Sequence, residues 1–590
     1  MVNEIPISPE ELDYSLRVTK IYEDRTKNPN LSPGILVEQW AEKTPNSYAV
    51  LFEDTKWTWE DLNQASNLVA NYFLSIGYKT GETIALMMDN SPEILSFPIG
   101  INKIQGIVSY ININQRMEAL IHGFRISEPN WIIIDGNNLP YLMDIFEELN
   151  FESRNVLVVN ENTEIRHNFY DLDWDFYHIP VDNPRTTYRS YLTDISSYIF
   201  TSGTTGLPKP ATQSNVRLLN PFGSLTLKLK QDDVVYCPLP LYHSHALVNG
   251  WGSCLQTGCT FAFRKKFSAS NFWKDIKKFE ATCFLYIGEI PRYLLNRPES
   301  EYIENITLKK MLGLGLRKDI WEEFKSRFMI EEIHEFYGAT DGAGGLYNIE
   351  QKPGMLGRIT TPGTHVIIKV VQNSDELLKD DNGNYIKCKP GETGMLLVAI
   401  AENSHYLGYK DKNQTEKRIV RNVLKEGDLF LNTGDLVNFH EGNWVSFADR
   451  SGDTFRWKGE NVSTLEVENI INMFPDIEMC NVFGVEIPKN DGKAGMAAIK
   501  LKSSTEFNPK EFSTFIDNRL PKYSIPIFLR VQDELDLTGT LKLRKINLRK
   551  QGYNINIIKD PIYVWNSSLQ SYKLLSNDDF SAIMAGRKDF

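Results

Sequence analysis

The stretch Ser197–Ala211, SYIFTSGTTGLPKPA, decides how the rest of the chain is read. Tyr198-Ile199-Phe200 reads as a short buried strand. The strand gives out at Thr201, and Ser202, Gly203, Thr204, Thr205 and Gly206 then form a loop of exposed amides and hydroxyls. Gly203 and Gly206 let a ligand approach the backbone closely, and Lys209 adds a cation just beyond Pro208. Amides, hydroxyls and one ammonium group turned to a common space suit a polyphosphate. The spacing is not that of a Walker A loop, because Lys209 follows Pro rather than Gly and no helix start follows it directly. The plainer alternative is a solvated surface turn, which has no need of so many hydroxyls beside a buried strand.

Working outward, apolar runs alternate with amphipathic segments on both sides of this loop. Pro33–Thr44 and Trp59–Ile76 predict helices, and Ser91-Pro92-Glu93 opens another with Pro in its first turn. ETIALMM (82–88), IVSYINI (107–113) and WIIID (131–135) predict strands. The segment 152–194 has weak periodicity and reads as loop and edge structure. Beyond the loop, strands are expected at 234–240, 259–264, 282–288 and 332–338, with helices at 245–256, 271–279 and 320–328 between them. This alternation predicts an α/β protein with largely parallel sheets. From 357 to 447 the pattern changes to short strands with Gly turns, HVIIKVV, GMLLVAI and WVSFAD, which predicts a small antiparallel β subdomain. After the charged turn at Asp449-Arg450-Ser451-Gly452-Asp453 a smaller α+β unit follows, so the expected domains are 1–449 and 450–590.

Composition sets outer bounds. At 590 residues the chain exceeds one core. It is 42% hydrophobic and carries a net charge of −12 without a Lys/Arg block, which argues against nucleic acid as a partner. The six cysteines are scattered, with no metal-ligand spacing, and read as reduced, mostly buried thiols. The N-terminal residues lack the apolar run of a secretory signal, the C-terminal GRKDF is not a peroxisomal address, and no apolar run reads as a membrane span. The expected location is intracellular, in the cytoplasm or on the cytoplasmic face of a membrane.

Taken together, TSGTTGLPK (201–209), LPLYHSHA (239–246), GLGLR (313–317), EFYGATDG (335–342), NTGD (432–435), DRSGDTFRWKGENVST (449–464) and TGTLKLRK (538–545) resemble the adenylate-forming superfamily. Within it, YIGEIPRYLLNRP (286–298), GLRKDIWEEF (315–324) and FRWKGENVST look like the branch of very-long-chain acyl-CoA synthetases and fatty acid transport proteins. The resemblance implies a large N-terminal domain and a small mobile C-terminal domain, with the active site between them. It implies ATP, Mg²⁺ and CoA as cofactors. The implied chemistry is attack of a fatty carboxylate on the α-phosphate of ATP, then attack of CoA thiolate on the acyl-adenylate. Such chemistry asks for donors, a cation and a metal around the phosphates more than for a covalent nucleophile.

By the same resemblance, Thr201, Ser202, Gly203, Thr204, Thr205, Gly206 and Lys209 hold the β- and γ-phosphates. Tyr337 and Gly338 face adenine, with Gly313, Gly315 and Leu316 as the opposite wall. Asp435 accepts from the ribose hydroxyls and Arg450 adds a ribose or phosphate contact. Lys542 is the adenylation lysine, although Lys542, Arg544, Lys545, Arg549 and Lys550 can equally be a solvated or CoA-phosphate-binding face. Lys458 and Gly459 belong to the face presented during thioester formation. His243 and His245 border the acyl pocket or are structural. Thr340 and Asp341 stand where the family has Thr-Glu, with the acid as metal ligand; Asp is shorter by about 1.5 Å, a gap that a bridging water or a small backbone shift can absorb, the alternative being weakened catalysis. Gly452 stands at the hinge position, where relatives carry Asp or Lys.

Three readings remain open at this point. The first is a ligase activating long- or very-long-chain fatty acids. The second is a lipid-trapping transport protein with weak or lost ligase activity. The third is a CoA ligase for another acid, such as a bile acid or a carnitine-like acid. Peripheral membrane association is compatible with each, and the sequence leaves acyl length and oligomeric state open.

Overall fold

The computed structural model describes residues 7–159, 169–171, 178–201, 207–304, 306–371, 376–401, 406–450, 455–457, 460–488, 490, 492–503, 505–536 and 545–587. The chain folds as two units. The first comprises Met1–Thr360, Val398–Arg421 and Leu429–Leu431; the second comprises Thr361–Leu397, Asn422–Asp428 and Asn432–Phe590.

Two large sheets organise the first unit. In one, Tyr170–Asp171, Val156–Val159, Trp131–Asp135, Thr83–Met87, Ile107–Tyr110 and β1 (Ile195–Thr201) run parallel, and β2 (Lys209–Ser214) closes the edge antiparallel to β1. The other sheet has a parallel centre that includes Cys283–Ile287, β3 (Lys310–Leu314) and β4 (Glu332–Gly338), with Gly345–Asn348 antiparallel at the β4 edge. Central strands such as Thr83–Met87 and Cys283–Ile287 are buried at every residue, which is why they read as unbroken apolar runs and not as alternation. Helix starts carry their own signals: Ser32 accepts from Ile35 N ahead of Pro33–Lys43, and Thr58 with Asp61 forms a capping box ahead of Trp59–Ser75.

Two expectations need correction, and one helix lies outside them. Val156–Val159, inside the segment read as loop and edge, is a fully buried inner strand; four residues are too few to show a period. The helix expected over 245–256 begins as a π-helix, His245–Trp251, before continuing as an α-helix over Gly252–Thr257. A further helix spans Pro9–Lys27. It starts at a Ser8–Glu11 capping box, and buried Glu11 pairs with Arg358. Its polar composition hid it, since most of its surface faces solvent.

In the second unit, the strand segments 435–439 and 445–450 pair antiparallel from Asp435↔Arg450 to Phe439↔Val445, as the Gly-punctuated pattern predicts. Its C-terminal part is a five-stranded sheet in the order Ile477–Glu486, Lys493–Leu501, Phe528–Val531, Ile562–Asn566, Ser571–Leu574, and includes the helices Thr464–Ile471 and Pro509–Asp517. All six cysteines are buried and unbridged. Among the described residues no helix is long and apolar enough to cross a membrane.

Candidate active site

The hydroxyl-rich segment joins β1 to β2, which place Thr201 opposite Lys209 in register. Ser202, Gly203, Thr204, Thr205 and Gly206 lie outside the described residues, so the loop is defined by its two ends. At one end Thr201 Oγ1 donates to the Lys209 carbonyl over 3.4 Å. At the other, Lys209 Nζ donates to Gln414 Oε1 over 2.9 Å and lies 5.8 Å from the centre of the Tyr409 ring. His122 Nε2 lies 3.0 Å from the Pro208 carbonyl oxygen.

Gln414 and Tyr409 come from a segment laid along β2. Thr212 N donates to Gly408 O at 2.8 Å and Lys410 N to Pro210 O at 2.9 Å, so 408–410 extend the sheet beyond its nominal edge. The same segment carries Arg418, whose Nη1 forms a close ion pair with Asp341 Oδ2 and donates to Tyr409 Oη at 3.2 Å. Asp341 is 4% exposed at its side chain and Arg418 is 24% exposed. A buried carboxylate requires such a counter-charge.

Thr340 is fixed from three directions. Its Oγ1 lies 2.9 Å from Ser244 Oγ, at the start of the π-helix, and its carbonyl accepts from Gln213 Nε2 at 2.9 Å and Arg217 Nη2 at 3.3 Å. The loop's ends and the Thr340-Asp341 pair thus belong to one hydrogen-bonded assembly within the first unit, although 139 positions separate Thr201 from Thr340.

The expected adenine wall is built from β3, β4 and the turn after β3. Tyr337 is half-buried near the end of β4, where its backbone pairs with Leu346, and Gly338 pairs with Gly345. Gly313 tolerates no side chain, since a Cβ there would stand 2.3 Å from the Tyr286 carbonyl oxygen. Gly315 has φ +80°, a left-handed conformation that favours glycine. Glu335, absent from the sequence-derived site, holds this turn in place. Its Oε1 accepts from Leu316 N at 2.6 Å and from Tyr286 Oη at 3.3 Å, and its carboxyl also accepts from the Gly315 amide. Burial pushes the Glu335 carboxyl up to about 8 despite these donors.

His245 resolves toward structure. Nε2 lies 3.1 Å from the Tyr286 carbonyl oxygen, Nδ1 lies 3.1 Å from Asn249 Nδ2, and the ring packs 5.2 Å from Phe336. Both nitrogens are engaged inside the protein. His243 is half-buried just before the π-helix.

Asp435 and Arg450 belong to the second unit, where their backbones are register partners in the ladder between the strands Leu429–Phe439 and Trp444–Arg450. Asp435 is buried and its amide donates to Thr433 Oγ1 at 3.1 Å. Lys542, Lys458, Gly459 and Gly452 lie outside the described residues. Lys545, grouped by sequence with the basic C-terminal stretch, is drawn inward: Nζ donates to Thr464 Oγ1 at 2.8 Å and pairs with Glu468 at 3.1 Å. No cluster of three or more His, Cys, Asp or Glu able to cage a metal occurs among the described residues.

Residues 37–409 match the family described as AMP-binding enzyme, and 466–542 match the AMP-binding enzyme C-terminal domain. The chain is 39% identical over 562 residues to long-chain fatty acid transport protein 2 of Rattus norvegicus, covering 93% of this chain and 90% of the relative. It is 34% identical over 540 residues to medium/long-chain-fatty-acid–CoA ligase FadD6 of Mycobacterium tuberculosis, covering 91% and 88%. Among solved structures, the anthranilate CoA ligase AuaEII in complex with anthranoyl-AMP superposes with a TM-score of 0.76 at 20% identity, covering 88% of this chain and 97% of that one. At that identity the likeness establishes the fold. The chain belongs to the AMP-binding enzyme family, in the branch that contains the long-chain fatty acid transport proteins.

Proposed function

We propose that this protein is an ATP-dependent ligase that activates long- or very-long-chain fatty acids to acyl-CoA. The supporting observation is the assembly that ties Thr201 and Lys209 to the Thr340-Asp341 pair through Tyr409, Gln414 and Arg418. The names of the relatives supply the acid class, because both a fatty acid transport protein and a fatty acid–CoA ligase match nearly the whole chain. The domains 1–449 and 450–590 are proposed as the two catalytic bodies; the boundary falls between the two matched family segments.

In this reading a carboxylate oxygen bonds to the α-phosphorus of ATP as the bond to the bridging oxygen breaks, releasing pyrophosphate. The CoA sulfur then bonds to the acyl carbon and AMP departs with the phosphate oxygen. Ser202–Gly206, with Thr201 and Lys209, take the β- and γ-phosphates. Tyr337, Gly338, Gly313, Gly315 and Leu316 enclose adenine, and Asp435 and Arg450 take the ribose. Lys542 serves adenylation, and Lys458 and Gly459 serve thioester formation. Asp341 fits Mg²⁺ as a single carboxylate, since this ion is commonly held by one or two carboxylates together with substrate phosphates and water. Bound there, Mg²⁺ supplies charge neutralisation on the phosphate oxygens. The location proposed is intracellular, with attachment to a membrane surface as a peripheral protein.

The test is pyrophosphate and acyl-CoA formation by the purified chain over a fatty acid length series. Product peaking at long chain lengths is expected. Absence of ATP-dependent pyrophosphate release at every length would favour the transport reading, in which the chain traps lipid without ligating it.

A further inference from the structure

We propose that Arg418 is the resting counter-ion of Asp341, and that it exchanges this carboxylate for the nucleotide's phosphates when a divalent cation and ATP bind together. The inference rests on the ATP-dependent reading above and adds a residue that no motif assigned.

Three observations carry it. First, Arg418 Nη1 already occupies Asp341 Oδ2, so a cation reaching that oxygen must displace or share it with a guanidinium of like charge. Second, Arg418 has somewhere to go. It shares a segment with Gln414 and Tyr409, which hold Lys209 and abut Thr201 at the two ends of the phosphate loop. A guanidinium released there meets phosphate oxygens, whose geometry it matches with paired donors. Third, the Tyr406 hydroxyl is buried without a hydrogen-bond partner among the described residues, in the electrostatic range of Asp341, Arg418 and Arg217. A buried orphan hydroxyl in a charged cluster points to a ligand that completes it. Arg418 is 24% exposed and Asp341 4%, so the exchange moves the arginine and leaves the carboxylate in place.

The exchange has a binding signature that a purely structural ion pair lacks. In the full-length protein, ATP dissociation constants are measured by equilibrium dialysis with Mg²⁺ and with excess EDTA, without fatty acid or CoA. The ratio of the two constants reports the gain from the metal. Arg418→Gln removes the competitor at Asp341 and leaves that buried carboxylate uncompensated beside the phosphates. Metal-free ATP is then expected to bind about tenfold more weakly, while with Mg²⁺ the lost competitor offsets the lost phosphate contact, so the gain from Mg²⁺ is expected to rise about tenfold. Asp341→Asn should collapse the gain, and Arg418→Gln in that background should no longer change it. Should Arg418→Gln fail to fold, as judged by circular dichroism and Tm, Arg418→Lys carries the test: it keeps the charge and loses the fork, and is expected to shift the ratio the same way by about threefold. An unchanged ratio in a folded Arg418 variant overturns the exchange while leaving ATP binding by the parent intact. No ATP binding by the parent in either buffer overturns the ligase reading and this inference with it.

Discussion

Replacing Glu335 by Gln separates two roles for one buried carboxyl. Burial raises its folded-state pKa from the ordinary 4.5 to about 8. The folded chain therefore keeps a proton at neutral pH that the unfolded chain has released. Unfolded chains bind fewer protons than folded ones throughout this window, so stability falls as pH rises from about 4.5 to about 8. Each pH unit removes about 1.4 kcal/mol, and about 3 kcal/mol is lost from this group between pH 4.5 and pH 7. Gln resembles the protonated acid: its carbonyl can accept from Leu316 N, and its amide cannot ionise. The stability difference between Glu335→Gln and the parent is thus expected to be small near pH 5 and to grow toward pH 8 in favour of the variant. Thermal unfolding midpoints of both proteins, recorded from pH 5 to 8.5, give the result, because the difference cancels other groups that titrate alike in both. The same variant should keep its KM for ATP flat across pH 7 to 8.5, since Glu335 reaches the substrate only by holding the Gly315-Leu316 turn. A midpoint difference independent of pH, or a variant less stable than the parent at pH 8, would refute the assignment of a protonated carboxyl. In that case an ionised acceptor for the two amides is the better description.

Lys542→Ala is expected to abolish acyl-adenylate formation from ATP while largely sparing thioester formation from supplied acyl-adenylate; equal loss in both half-reactions, followed by rapid quench, would count against its role in adenylation. In the proposed reading, where its carboxylate accepts from the ribose hydroxyls, Asp435→Asn should raise the KM for ATP by about tenfold to a hundredfold, with inorganic pyrophosphate inhibition unchanged. If pyrophosphate inhibition weakens equally, the residue is not acting at the sugar. Lys103→Met tests the core: Lys103 Nζ is fully buried, 3.1 Å from Glu38 and 2.6 Å from both Asn63 and Asn67, so its loss strands a buried carboxylate and should cost about 3–5 kcal/mol. A fall in thermal midpoint with full retention of KM for ATP is the expected pattern.

What was legible in the sequence follows the range of the interaction concerned. The β1–loop–β2 unit could be read because an apolar run stopping at hydroxyls is a local pattern, and the same holds for the capped helices and the buried parallel strands. The family motifs extended that reading to Asp341 and Tyr337. Arg418 left no such mark. It lies 77 positions from Asp341, beyond any helical or strand period, and an isolated Arg in a polar segment reads as surface. Glu335 was quoted within its motif and still passed over, because a carboxylate beside Phe336 and Tyr337 carries no local sign of its partners. Those partners, Leu316 and Tyr286, lie on neighbouring elements of the second sheet's region and meet it only after folding. The two omissions share a cause. A motif identifies residues that touch a common ligand, whereas the residues that aim them are chosen by the packing of one scaffold. Asp341 fits this view: its motif position was legible, while its ion pair with Arg418, and the Tyr409 hydroxyl that Arg418 also reaches, were set only by packing.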